Sequence, residues 1–281
     1  MAIITVWNGT KEQCGNTLTS VALATQTAID HNIKVLLIST SLNDRVLKEC
    51  FWKEKAKKQN PAMLGGIMMP PMGIEKSGVE GLDRIIRSNK MSPDIITDYT
   101  RIVLKDRLEI LLGMEGNAAE YDTMKQRYSQ IINFANKYYD MVIVDLDKRL
   151  GINQQEILKK SDVVVAVIPQ RVSEINTITE YLKKGNMLKP DNTVITIGKY
   201  MEDTKYNIKN ITRSILKRKE MVNAIPYNKL FFEASQEGKV IDLFLNLMRI
   251  TEKDANHDFV TKIKDLIQEI KDRLDILKRL S

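Results

Sequence analysis

TVWNGTKEQCGNTLTSVALA, from Thr5 to Ala24, continues a β-type run (Ile3, Ile4, Val6, Trp7) through a polar loop into an apolar-periodic helix (Leu18, Val21, Ala22). Strand, glycine-bearing loop and helix in that order lay out a phosphate-binding loop of pattern G-x-x-x-x-G-K-[ST]. In that pattern the amides at the helix start cradle phosphate, the lysine reaches the β/γ oxygens and the hydroxyl holds Mg²⁺. Gly15 and Thr17 stand where the pattern needs them, but the lysine position is Asn16. The stretch is laid out for an anion and lacks its usual cation.

Outward from this loop, β-rich runs alternate with helical patterns. The spacing predicts strands at 34–39 (KVLLIS), 108–112, 141–146 (MVIVDL), 163–168 (VVVAVI), 193–198 (TVITIG) and 222–225. It predicts helices near 17–31, 43–58, 79–90, 93–104, 120–137, 153–160, 173–187 and 206–220. The nearly continuous apolar runs suit strands buried on both faces. Strands alternating with helices of about 10–15 residues call for right-handed crossovers. The fold class is therefore α/β, a mainly parallel twisted sheet with helices on both faces. Ligands of such sheets bind outside the carboxyl ends of the strands, which makes the loops after Trp7, Ser39, Asp145, Ile168 and Gly198 the candidate site walls.

Residues 1–250 read as one domain interrupted by a Met-, Gly- and Pro-rich loop at 61–78, whose Met63, Met68, Met69 and Met72 suit either gap-filling or an adaptable docking surface. Residues 256–280 read as a C-terminal amphipathic helix, with Phe259, Ile263, Ile267, Ile270, Leu274 and Leu277 on one stripe. That stripe suits packing on the same domain, and the Lys-rich opposite face leaves partner or membrane-surface docking open.

A chain of 281 residues that is 43% hydrophobic can bury a full core. No apolar run approaches the roughly 18 residues of a bilayer span, and no leader-type segment precedes the first strand, so a cytoplasmic protein is expected. Two cysteines, Cys14 and Cys50, are too few for a disulfide framework, and the distant His31 and His257 argue against histidine catalysis or zinc. The net charge of +7 is partly patterned: Lys205, Lys209, Arg213 and Lys217 recur every fourth residue opposite Ile208, Ile211 and Ile215. Such a stripe is a solvated helix face or a non-specific contact for DNA or an anionic membrane.

Four segments in this order resemble the MinD/ParA (SIMIBI) family of P-loop proteins, dimeric ATPases that position cellular machinery. Within it, the chain looks most like the divergent TadZ/CpaE branch of pilus-assembly localisation proteins. The family's deviant loop K-G-G-x-G-K-[ST] falls on Lys11 to Thr17, with Lys11 at the lysine that reaches the partner subunit's nucleotide. YDMVIVDLDKRLG (Tyr139 to Gly151) resembles the Walker B and switch region, SDVVVAVIPQRVSEI (Ser161 to Ile175) the following strand and helix, and IPYNKLFFEASQEGKV (Ile225 to Val240) the loop that lines the adenine pocket. The resemblance covers about residues 1–248. It implies ATP with Mg²⁺ as cofactors, nucleotide contacts from Lys11, Gly15, Asn16, Thr17, Leu18 and Pro226, and Mg²⁺ contacts from Thr17 and, through water, Asp145. It also implies a homodimer joined through the phosphate-loop face, with a secretion or pilus motor ATPase as partner.

The departures from the family pattern concern hydrolysis. Glu12 and Gln13 replace loop glycines, Ser39 and Ser41 stand where aspartates orient Mg²⁺ and water, and Gly198 replaces a base-recognising asparagine. The resulting expectation is a nucleotide-binding, dimerising localisation scaffold with a degenerate Walker A motif and at most weak ATPase activity. The alternatives are an interaction module that has lost nucleotide, and a partition-type ATPase binding DNA through the basic helix.

Overall fold

Period-two alternation sorts each central strand between two cores. In β1 (Ala2–Trp7), Ile3 and Trp7 face one side and Ala2, Ile4 and Val6 the other. In β5 (Met141–Leu146), Val142, Val144 and Leu146 join the first core, and Met141 and Ile143 the second. In β6 (Val163–Ile168) the same split recurs between Val164, Ala166, Ile168 and Val163, Val165, Val167. All residues of these three strands are buried, as their apolar runs require.

The computed structural model describes residues 1–10, 12–53, 78–88, 92–185, 187–215 and 222–280. Lys11, the Met cluster and Lys217 lie outside them, as does all of the 61–78 loop but Gly78. The remaining strands are β2 (Val35–Ser39), β3 (Arg101–Leu104), β4 (Leu108–Leu111), β7 (Thr193–Tyr200) and β8 (Val222–Pro226). They form one eight-stranded sheet in the order β3-β4-β2-β5-β1-β6-β7-β8, parallel except for the β3–β4 edge pair. The order runs outward from β1 in both directions, which opens a crevice at the carboxyl ends beside β1.

Helices α1 (Asn16–Asp30), α2 (Arg45–Phe51), α9 (Lys229–Glu237), α10 (Val240–Leu247) and α11 (His257–Leu280) cover the second core. Helices α3 (Val79–Arg87), α4 (Ala118–Met124), α5 (Tyr128–Ala135), α6 (Asn153–Lys160), α7 (Val172–Lys184) and α8 (Ile208–Ile215) cover the first.

The structure departs from the sequence expectations at four places. Residues 93–104 are not one helix: a 3-10 turn (Pro93–Tyr99) leads into β3, where Ile102 and Val103 favour extended backbone and Asp106 turns the hairpin at φ 61°. The helix expected over 120–137 is two, because Asn117 caps α4, the chain turns at 125–127, and α5 buries its own face of Tyr128, Ile131, Ile132 and Ala135. Helices α9 and α10 follow the Ile225 motif without having been foreseen, with Asn228 capping α9 through a 2.8 Å bond from the Phe231 amide. Lys205 precedes α8 rather than riding on it.

Helix α11 packs its apolar stripe against α1, β6 and β8, with Ile263 and Leu266 fully buried and the Phe259 ring 5.4 Å from that of Phe231. Its far end is pinned by Arg273, which donates to the carbonyls of Pro190 and Asp191 at 3.0 Å each. Ile263→Ala should therefore cost about 2–5 kcal/mol of unfolding free energy in urea titration, as a buried truncation does. A loss near zero would mean that α11 is not part of the cooperative fold.

Candidate functional site

Alternation along β5 puts Asp145 on the face that α1 covers, and the sheet register sets it directly beside Val6 of β1. The start of α1 therefore sits over a buried carboxylate. Asp145 accepts from Asn16 Nδ2 at 2.6 Å, from the Thr17 hydroxyl at 2.8 Å and from the Ser20 hydroxyl at 3.1 Å. Asn16, Thr17 and Ser20 lie on one face of the first helical turn, where spacings of three and four residues meet. Burial, reinforced by the nearby Asp44 carboxylate, pushes the Asp145 carboxyl up to about 7, against the pull of the three hydrogen bonds.

Asn16 therefore does more than leave out a lysine. Its amide turns back to Asp145 and, at 3.4 Å, to the Val6 carbonyl, so the group that would reach out to phosphate is committed to the strand end. Its Oδ1 is buried without a partner, an acceptor that water can satisfy and phosphate cannot.

Gly15 precedes α1 in the left-handed region (φ 86°), which suits glycine. No side chain caps the helix and no acid stands in its own first turn, so the amides at its positive end are left to face the crevice. Gly198 serves the loop from across the sheet: a Cβ there would lie 2.0 Å from the Cys14 carbonyl oxygen, so only glycine lets loop and strand end touch. The Cys14 thiol is buried, donates to the Val167 carbonyl at 3.3 Å and is pushed up to about 12 by burial, which leaves it no nucleophile.

A cleft of about 540 Å³ opens over this loop, walled by 41–46 after β2 and by 145–149 after β5. That size is within the range of small-molecule sites. Its acidic groups are each engaged. Glu12, which faces the cleft as a threat to any triphosphate, is ion-paired with Arg171. Asp147 is ion-paired with Arg149 at 2.7 Å, and its carboxyl is held below the usual range by hydrogen bonds from Arg149 and Ser41 despite opposing burial. Asp44 caps α2 through the Leu47 amide at 3.0 Å and accepts from the Ser39 hydroxyl at 2.6 Å. Ser39 is therefore tied to a carboxylate that a sequence reading of 39 and 41 alone misses.

A second, apolar hollow of about 110 Å³ adjoins the cleft, bounded by Leu18, Ile225, Pro226, Phe231, Phe232 and Phe259. Cleft and hollow share Cys14, Gly15, Leu18 and Lys199. The structure thus brings together Gly15, Asn16, Thr17 and Asp145 in the cleft and places Leu18 between it and the hollow that Pro226 borders. Sequence reasoning missed Ser20, Asp44, Arg149, Lys199 and Phe259. Of these, Ser20 alone carries a local signal, one helical turn after Asn16.

No family model and no curated protein sequence matches the chain. Solved structures do. A ParA family ATPase from Chlorobium tepidum TLS aligns with a TM-score of 0.67 at 15% identity, over 95% of this chain and 98% of that one. The cell division ATPase MinD of Pyrococcus furiosus aligns at 0.62 and 14% identity, over 96% and 98%. The septum site-determining protein MinD of Pyrococcus horikoshii OT3, complexed with Mg-ADP, aligns at 0.61 and 13% identity, over 94% and 95%. At these identities the likeness is one of fold: this is the α/β P-loop NTPase fold of the ParA and MinD ATPases. Among the described residues, no helix is long and apolar enough to cross a membrane, and no cluster of three His, Cys, Asp or Glu side chains is placed to hold a metal.

The raised Asp145 carboxyl gives a pH test. Well below pH 3.8 the group is protonated whether the chain is folded or not. As pH rises from there to about 7, the folded chain holds a proton that the unfolded chain has released, so this contribution to stability is lost across that window. Relative to Asp145→Asn, the wild type should lose up to about 4 kcal/mol between pH 4 and pH 8, about 1.4 kcal/mol per pH unit, in paired urea titrations. A difference independent of pH would show that Asp145 is ionised throughout.

Proposed function

We propose that the chain binds a nucleoside triphosphate across Gly15 and turns it over slowly or not at all, acting as a nucleotide-dependent localisation scaffold. The observation that carries this reading is the continuity of the polar cleft over Gly15, Thr17 and Asp145 with the apolar hollow beside Leu18 and Pro226. One half offers helix amides and a hydroxyl to a phosphate chain and a carboxylate to its Mg²⁺, and the other offers aromatic and proline surface to a base. The Mg-ADP of the Pyrococcus horikoshii neighbour supports the same choice of ligand.

The residues present fit the cofactors. Gly15, Asn16, Thr17 and Leu18 would hold the phosphates by main-chain amides, and Leu18 and Pro226 would border the base. Thr17 and, through water, Asp145 would hold Mg²⁺, which supplies charge neutralisation between phosphate oxygens when bound. The chain's own part is positional: Asp145 orients the Thr17 hydroxyl, and Arg171 and Arg149 neutralise Glu12 and Asp147 at the rim. Lys11 is assigned to the partner's nucleotide in a homodimer formed through this face. A pilus or secretion motor is the kind of machinery such a dimer would place.

Hydrolysis is a separate matter. Phosphoryl transfer rests on positioned charge, and losing one such stabiliser costs on the order of 2.7–4 kcal/mol of barrier, a 10²–10³-fold fall in rate. Asn16 is neutral and bonded away from the cleft, Ser39 and Ser41 are neutral, and Asp44 is committed to capping α2.

Titration of the intact chain with a fluorescent ATP analogue in Mg²⁺ should saturate below millimolar concentration, with phosphate release no faster than in a Thr17→Ala control. No saturation at millimolar nucleotide would sink the binding reading, and turnover well above the control would sink the slow-turnover one. Asn16→Lys should tighten nucleotide binding more than it restores hydrolysis, because the Ser39, Ser41 and Asp44 arrangement is unchanged. Turnover matching an intact P-loop ATPase in that variant would contradict this division of roles.

A further inference from the structure

Lys199 belongs to no motif, yet the backbone is bent to aim it. Strands β7 and β8 pair in regular register through Ile197 and Ala224, then slip, and resume at Tyr200 opposite Pro226. The extra residue is a bulge at 198–199, a device that re-aims side chains next to sites. Lys199 itself sits at φ 53°. Among the described residues, the other non-glycines at positive φ are Asn43 and Asp106, types that tolerate the left-handed region far better than a lysine does.

The strained conformation has a visible consequence. The Cγ and Cε atoms of Lys199 both lie 3.7 Å from the point where a Cβ of Gly15 would be, so the aliphatic stem passes over the loop's bare glycine. Gly198, pressed against the Cys14 carbonyl, fixes the strand end to the loop by direct backbone contact. Lys199 borders both the polar cleft and the apolar hollow, and its side chain is exposed there. No carboxylate is ion-paired with it among the described residues, whereas Arg149 and Arg171 are engaged by Asp147 and Glu12, and Arg45 and Lys148 border the polar cleft but not the hollow.

We infer that Lys199, the cation shared by cleft and hollow, supplies from the end of β7 to the polyphosphate of a bound nucleotide the positive charge that the loop lacks at Asn16. The assignment rests on the nucleotide-binding reading above and names a residue outside the phosphate loop as its charge partner. A cation entering from the far wall can bind phosphate without reproducing the position of a loop lysine beside Asp145, which fits binding without rapid hydrolysis.

Lys199→Gln keeps the stem over Gly15 and removes the charge, and Lys199→Arg keeps both. MgATP affinities of the wild type and the two variants, measured by calorimetry at about 50 mM and about 1 M salt, test the assignment, with thermal unfolding as the control for folding. At low salt Lys199→Gln should bind about 10- to 100-fold more weakly than the wild type, the range of one charge-assisted hydrogen bond, and Lys199→Arg should stay near the wild type. At high salt the wild type and Lys199→Gln should converge, since a solvent-exposed charge is screened. Equal affinities at low salt, or a loss in Lys199→Gln that persists undiminished at high salt, would overturn the role of Lys199 while leaving nucleotide binding intact. Failure of the unaltered chain to bind MgATP would overturn both.

Discussion

The site is organised by the need to satisfy a carboxylate taken out of water. Asp145 is fixed in place by the strand register, and an ionised carboxyl there is costly unless donors converge on it. The first turn of α1 supplies three, from Asn16, Thr17 and Ser20, and the backbone behind is held as well, with the Thr40 hydroxyl donating to the Asp145 carbonyl and accepting from the Asp147 amide. The loop after β1, the loop after β2 and the loop after β5 are thereby joined through one residue. A lysine at position 16 would bring a charge into this arrangement. Asparagine brings a neutral donor, whose hydrogen bond pulls the carboxyl down without cancelling the upward push of burial and Asp44, and it leaves an orphaned amide oxygen.

Charge around the cleft follows the same logic of local compensation. Glu12, Asp147 and Asp44 would together make the cleft hostile to phosphate, but each is answered within a few ångströms by Arg171, by Arg149 or by a helix cap. What remains for a ligand includes the uncapped start of α1 and the ammonium of Lys199, the cation that borders cleft and hollow alike, with Arg45 and Lys148 on the cleft wall alone. Binding an anion needs only that surplus, whereas accelerating phosphoryl transfer needs charge at particular oxygens. The separation of these two demands explains how a loop without its lysine retains the shape of a nucleotide site.

Much of this was legible in the residues. The apolar runs at Ile3, Val142 and Val163 mark strands buried on both faces, and the Gly15-Asn16-Thr17 triplet marks the helix start against the sheet. Elements governed by local turn chemistry were less so: Asp106 in a left-handed hairpin turn converted a supposed helix into β3, and Asn228 opened α9 where only a motif was seen. Contacts between residues far apart in sequence left no local trace. The Glu12–Arg171 pair spans 159 positions, and Lys199 reaches Gly15 only because Gly198 lets two backbones touch. Asp44 escaped notice because its role depends on Ser39, five residues earlier and on another element.

The central claim is that one ligand spans the polar cleft and the apolar hollow. Amide hydrogen exchange of the intact chain with and without MgATP tests it directly. The account predicts coincident protection of residues 14–20 at the start of α1 and of residues 225–232 around Pro226, with the β3–β4 edge unchanged. Unaltered exchange in both segments, or protection confined to one of them, would contradict it.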